Sequence, residues 1–260
     1  MEDDSFIVEN MRWSFSRLES FYNCPYSWKR HYIDCEEGAN NAFAQYGSLV
    51  HRLLEQYEKG EIDIFDVSQE YESKFNQEVL EDFPPNKFVD LRDSYYLKGQ
   101  RYFDNLDLDL TNFTVLGVEK EITFEIYEKP FVGYIDLLLQ DKDGNIIITD
   151  HKSTSSIKFT KKNELTKGSV EKMEMYKRQL YLYAKPVIEE YGHVDFLEWN
   201  FFNERKWYRI PFNEEEYKAA LQWAEDTIKL IEQETEWRPD PSMFFCNFIC
   251  DYRNYCEYKP

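Results

Sequence analysis

The spacing of apolar positions changes period along the chain, and those changes outline its elements. Between residues 14 and 33 the apolar positions fall on one helical face. Leu18, Phe21 and Tyr22 align there, and Ser16 with Glu19 reads as a capping box. Pro25 interrupts that face, which predicts a break or a second helix starting there. Residues 47–59 form an amphipathic pattern with Leu49, Val50, Leu53, Leu54 and Tyr57 on its apolar side, and His51 and Glu55 one turn apart. Two more helical stretches, 67–80 and 88–106, flank Pro84 and Pro85; residues 60–110 carry no recognisable chemistry and read as a helical insertion. From Phe113 the period falls to two, predicting two strands or one long bent strand.

That alternation leads into residues 131–153, FVGYIDLLLQDKDGNIIITDHKS. Val132, Tyr134 and 135–139 predict a strand, 141–145 with Gly144 a polar turn, and 146–149 a second strand, together a hairpin. A helix follows over 170–191, with Met173, Tyr176, Leu180, Tyr183 and Ala184 at helical spacing. Residues 196–212 predict two antiparallel strands around Asn203 and Glu204. The last helix, 213–236, is capped by Asn213 with Glu216 at the box position and stopped by Pro239 and Pro241.

The hairpin departs from its own pattern where chemistry is expected. Asp136 lies inside the first apolar run, and Asp150 and Lys152 follow directly after the second. Two carboxylates beside an apolar strand are costly to bury unless something offsets their charge, which points to a divalent cation with a lysine nearby. Alternation puts Asp150 and Lys152 on one face and His151 on the other. Such a face suits phosphodiester hydrolysis: a metal polarises the phosphate and acidifies water, and the ammonium positions that water or stabilises developing charge. The plainer alternative is a surface hairpin with an Asp–Lys ion pair. Two other pairs share a face by spacing: Glu119 with Glu121 on the preceding strand, and Gln179 with Tyr183 one helical turn apart. The second of these offers an amide and a phenol suited to a phosphate oxygen or a base.

Composition narrows the class. Hydrophobic residues make up 42% and aromatic residues 18% of 260, enough for a packed core. No apolar run approaches the roughly 20 residues of a membrane span, and the acidic opening MEDDSFIVENMRW lacks the order of a signal peptide. A soluble, cytoplasmic chain without a membrane partner is expected. The net charge of −19 argues against a phosphate-rich partner, so any such contact must be local. Residues 152–185 supply the place, with nine Lys and Arg against three Glu. They read as one wall of a phosphate-lined groove, or as a solvated loop and helix face. No G-x-x-x-x-G-K-[ST] loop is present, so the chain carries no ATPase motor. Near the end, Cys246, Cys250 and Cys256 fall within eleven residues, an arrangement that in a cytosolic chain argues for metal before disulfide. A fourth ligand would come from Cys24 or Cys35.

Gly133-x-x-Asp136, a spacer and Asp150-x-Lys152 together resemble the PD-(D/E)XK nuclease superfamily, in particular its RecB-like branch, with Asp where other members carry Glu. Gly47-x-x-x-His51 is similar to an early helical motif of that branch, and Gln179-x-x-x-Tyr183 to a later one. Cys24-Pro25 with the three tail cysteines resembles its iron-sulfur members, which include the AddB nuclease domain and CRISPR-associated exonucleases. The tail departs from the common form: three residues, not two, separate Cys246 from Cys250.

The resemblance spans nearly the whole chain. It implies an α/β, restriction-endonuclease-like fold, a mixed central sheet flanked by helices, as a single nuclease domain over 1–260. The catalytic core would be 113–212, with the helical insertion at 60–110 and an iron-sulfur staple joining 14–35 to 240–260. It further implies Mg²⁺ or Mn²⁺ held by Asp136 and Asp150 with His51 assisting, Lys152 as the catalytic lysine, and Glu119 as a secondary candidate. Gln179 and Tyr183 would contact the DNA backbone or end. Cys24, Cys246, Cys250 and Cys256 would hold a [4Fe-4S] cluster, with structural zinc as the rival and Cys35 left free. The implied activity is exonucleolytic hydrolysis at single-stranded DNA ends, in recombination, repair, phage or CRISPR-linked processing. Any helicase or recombination partner would be a separate chain. A catalytically idle DNA-end-binding or assembly subunit is the second reading, and the presence of Asp136, Asp150 and Lys152 together counts against it.

Overall fold

The computed structural model describes residues 2–154, 157–162 and 164–260; Ser155, Ser156 and Asn163 of the basic segment lie outside the described residues. Its centre is a five-stranded sheet in the order β1-β2-β3-β4-β5. β1 (Thr114–Ile126), β2 (Lys129–Gln140) and β3 (Ile146–Lys152) are antiparallel neighbours, so the predicted hairpin forms, with Asp150 and Lys152 inside its second strand. β4 (Phe196–Phe201) lies parallel to β3, and β5 (Lys206–Pro211) returns antiparallel to β4. A parallel pair cannot be joined by a tight turn, and α7 (Lys167–Tyr191) supplies the crossover. The sheet is therefore mixed.

Hydrophobic cores cover both faces. On one, α1 (Glu2–Glu9), α2 (Phe15–Asn23), α3 (Pro25–Tyr32), α7 and α8 (Glu214–Glu232) pack with Ile146, Ile148, Leu197 and Trp199. On the other, α4 (Ala42–Glu58), α5 (Val67–Glu78) and α6 (Leu91–Phe103) pack with Leu137, Leu139 and Ile147. The change of face between Ile146, Ile147 and Ile148 is the two-residue alternation of a strand buried on both sides. No helix among the described residues is long and apolar enough to cross a membrane.

Several boundaries differ from the pattern for local reasons. Ser14, rather than Ser16, caps α2, its Oγ accepting the Arg17 N–H at 3.3 Å. Pro25 opens α3, and the cap there is Cys24, whose Sγ accepts the Ser27 N–H at 3.4 Å. β1 is one bent strand with a register shift between Val115 and Gly117. α8 ends at Glu232, ahead of the prolines, while Glu216 in its first turn reaches Lys177 at 2.9 Å and Tyr181 at 3.0 Å on α7. The basic segment spends part of its charge internally: besides Lys177, Lys158 pairs with Glu204 at 2.6 Å, and Lys185 with Glu189.

The C-terminal tail is bolted to the loop that starts α4. Ala39 N–H donates to the Asp251 carbonyl at 2.9 Å, and Asn41, the N-cap of α4, donates through Nδ2 to the Ile249 carbonyl at 2.9 Å. Arg253 donates to the Ala39 carbonyl at 2.7 Å and pairs with Glu81 at 2.9 Å. The helix carrying His51 thus begins against the tail carrying the cysteines.

Candidate active site

The site forms where the sheet forks. Pairing between β2 and β3 ends at Leu137 with Thr149, while β3 stays paired to β4 as far as Lys152 with Phe201. In the opened fork the Asp136 carboxylate replaces a strand partner, Oδ2 accepting the His151 backbone N–H at 2.7 Å. The other neighbour of Asp136 is distorted as well. Val118 pairs with Leu137 and Lys120 with Ile135, but Glu119 between them sits at φ 49°. Alternation slips at the same level, since Ile135 joins one core and Leu137 the opposite one. A non-glycine residue in this backbone region costs on the order of 1–3 kcal/mol and persists where its surroundings enforce it. Here the distortion sets two carboxylates against each other, which strand pairing alone disfavours.

The imidazole of His51, from α4, completes a cluster. Ligand atoms of His51, Glu119 and Asp136 lie within 4.8 Å of one another, all three residues being half-buried. His51 Nδ1 is 3.6 Å from Asp136 Oδ2. Burial, with His151 adding to it, lowers His51 to about 4, so the ring is neutral and able to donate a lone pair. Burial, followed by the nearby Asp136 and Glu55 carboxylates, pushes Glu119 up to about 7. Glu121, which spacing placed beside it, is turned outward to Arg12 at 3.4 Å.

Asp150 stands apart from that trio, paired with the lysine. Lys152 Nζ lies 2.9 Å from both oxygens of the buried Asp150 carboxylate. The ammonium also donates to Gln179 Oε1 at 2.9 Å and sits 5.1 Å from the centre of the Tyr176 ring. Burial works against its charge, but Asp150 and Asp136 outweigh burial and hold it above its ordinary range. Burial raises Asp150 in turn. A neutral imidazole and two facing carboxylates, with a buried third carboxylate alongside, are a donor set that fits a hard divalent cation.

The sequence profile of the PD-(D/E)XK nuclease superfamily matches residues 12–257. The chain belongs to this superfamily. A solved structure from Eubacterium rectale, provisionally described as an exonuclease, is similar in fold, with 14% identity, 100% of this chain and 95% of that one covered, and a TM-score of 0.56. The structure of SSO0001, at 17% identity over 82% of this chain and 96% of that one, has a TM-score of 0.36. A comparison with curated proteins gave no match.

Within this nuclease framework the motif glycines have steric reasons. A Cβ on Gly133 would stand 2.5 Å from the Tyr183 ring, so the glycine lets α7 close onto β2. A Cβ on Gly47 would stand 3.1 Å from Ser153 Oγ, so that glycine lets α4 approach the chain just after Lys152. Of the residues read as DNA contacts, Gln179 is half-buried with Oε1 on Lys152, and Tyr183 is buried against Gly133. His151 faces away from Lys152 as alternation required, with Nε2 2.7 Å from Glu58 Oε1. Burial opposes its charge, yet Glu58 outweighs burial and lifts the ring to about 9.

Sequence reasoning missed Glu58 and Glu19. Glu58 lies two turns beyond His51 on α4, a spacing that shares a face and could have marked it. Glu19, read as part of a cap, has its carboxyl raised by burial, with Lys152 and Asp150 as its charged neighbours. Nothing in its spacing pointed there.

The four cysteines of the resemblance line one pocket, together with Ser27, Arg30 and Tyr252. Cys35 is exposed and outside it. Amides reach the sulfurs: Asp240 N–H donates to Cys24 Sγ at 3.5 Å and Ser242 N–H to Cys246 Sγ at 3.3 Å. All five thiols are free of disulfides. Among the described residues, no three of these sulfurs lie within 4.8 Å of one another. Tetrahedral zinc with bonds of about 2.3 Å needs sulfurs roughly 3.8 Å apart.

Proposed function

We propose that the chain is a metal-dependent DNA exonuclease of the RecB-like, iron-sulfur kind, acting at single-stranded ends. The observation that carries this reading is the fork in the sheet, where His51, Glu119 and Asp136 converge beside the buried Asp150–Lys152 pair. His51, Glu119 and Asp136 would hold Mg²⁺ or Mn²⁺, with the lysine-paired Asp150 as a further carboxylate ligand. The bound ion would polarise the phosphate and acidify a water molecule. Lys152 then acts as a fixed positive charge against the phosphate oxygens, and Gln179 and Asp150 orient its ammonium. Tyr183 supports Gln179 from the protein side. The description of the Eubacterium rectale structure points in the same direction.

A [4Fe-4S] cluster on Cys24, Cys246, Cys250 and Cys256 would staple residues 14–35 to 240–260 within one nuclease domain. Structural zinc on the same four cysteines is the rival occupant. A motor or recombination partner, in repair, phage or CRISPR-linked processing, would be a separate chain. The test is anaerobic purification followed by incubation with end-labelled single- and double-stranded linear DNA and closed circles, in Mn²⁺, Mg²⁺ or EDTA. Metal-dependent loss of linear strands with circles spared is the expected result. Cutting of circles would make the enzyme an endonuclease, and no cleavage in any metal would favour the catalytically idle end-binding subunit.

A further inference from the structure

Next to the catalytic lysine the structure opens a second space. A groove of about 500 Å³ is lined by Lys152, Ser153 and Thr154, and by rings from four separate segments: Phe43 of α4, Tyr95 of α6, Tyr176 of α7 and Phe244 of the tail. Three of the rings are braced. Phe43 and Tyr95 have centroids 5.3 Å apart, and Phe83 backs them at 5.3 and 5.0 Å. Tyr176 is hydrogen-bonded to the Thr154 side chain and lies over Lys152. The fourth ring, Phe244, is 57% exposed, its centroid 5.7 Å from that of Phe248.

A cation accompanies the rings, since Lys152 lies 5.1 Å from the centre of Tyr176. An apolar peptide would meet the polar wall of Lys152, Ser153 and Thr154, and a free phosphate would leave the rings uncovered. A nucleotide presents a flat π-face and a phosphate together, and its base reaches such a groove only when it is not stacked in a duplex.

We propose that this groove is a base-stacking subsite, holding one unpaired nucleobase of a DNA single strand whose neighbouring phosphate lies at Lys152, with Phe244 closing over the base. The inference rests on the proposed nuclease function and deepens it. It makes an unpaired end the substrate, and it makes the cysteine-bearing tail part of the substrate site, because Phe244 precedes Cys246 by two residues.

The test uses the anaerobically purified full chain in EDTA, so that binding is read without cleavage. Single strands carry one 2-aminopurine, moved stepwise from the end. Stacking should quench one position in the wild type, fail to quench it in Phe244→Ala, and quench it again in Phe244→Trp. Binding by Phe244→Ala should weaken about five- to 150-fold, the scale of one lost base–aromatic stack. An abasic nucleotide at the quenched position should weaken binding to the wild type by a similar factor, a readout independent of whether any variant folds. Equal quenching at all positions, or an abasic strand bound as tightly as the intact one, overturns the subsite. If strands are bound and cleaved without regard to Phe244, the subsite alone falls. If no single strand binds, the subsite and the nuclease reading fall together.

Discussion

Replacing Lys152 by methionine removes the counter-charge of a buried carboxylate while keeping most of the length of the side chain. The ammonium is 2.9 Å from both Asp150 oxygens, and the two side chains are 19% and 6% exposed. Breaking one side of such a pair costs about 3–5 kcal/mol, because the remaining charge has lost its partner but not its burial. Asp136 nearby adds to the repulsion. With roughly 2–4 °C of melting temperature per kcal/mol for a chain of this size, Lys152→Met should melt some 6–20 °C below the wild type in EDTA. Asp150→Asn removes the orphaned charge, so the double variant should be more stable than Lys152→Met alone. The coupling in a double-mutant cycle should reach about 2–3 kcal/mol. Activity should not follow stability, and both Lys152→Met and the double variant should be inert on DNA. Unfolding of the four proteins, with turnover measured alongside, checks both halves. Additive stability effects would show that the pair is not buried as described, and a double variant that cleaves DNA would remove Lys152 from the chemistry.

Gly133→Ala should drive a methyl into the Tyr183 ring at 2.5 Å, costing about 1–3 kcal/mol and lowering kcat more than DNA affinity; an unchanged melting curve would contradict that close approach. Glu119, pushed up to about 7, is protonated below that pH, so Mn²⁺ must displace a proton there. Mn²⁺ affinity should fall about tenfold per pH unit below 7. Calorimetry on Glu119→Gln should show weaker binding at pH 8 with that dependence lost, and an unaltered slope would exclude Glu119 as a ligand. Cys250→Ser should strip iron and visible absorbance. Hydrogen exchange should then rise at residues 38–41 as well as in the tail, because the two are hydrogen-bonded; a rise confined to the tail would break that link.

Local order was the legible part. The hairpin, the helix carrying His51 and the crossover helix follow from apolar period and turn residues, and Asp136, Asp150 and Lys152 stood out by violating that period. Their grouping was not legible. Spacing couples Asp136 to Asp150, whereas the fork after Leu137 and Thr149 sends Asp136 toward His51 and Glu119 and leaves Asp150 with Lys152. Glu119 reaches the site through a backbone angle of 49°, set by the register of a neighbouring strand. The burial of Tyr183 depends on how α7 closes over Gly133, a contact between residues far apart in the chain. Cys24 meets the tail cysteines only because the whole chain folds between them.

The most direct test of the account is hydrolysis of an end-labelled single strand by the wild type and by Asp136→Asn, with Mn²⁺ or with EDTA. Strand loss is expected with Mn²⁺ in the wild type alone, with none in EDTA and none from Asp136→Asn even though that protein folds. Cleavage in EDTA, or cleavage by Asp136→Asn at the wild-type rate, would contradict a metal-dependent site at the fork.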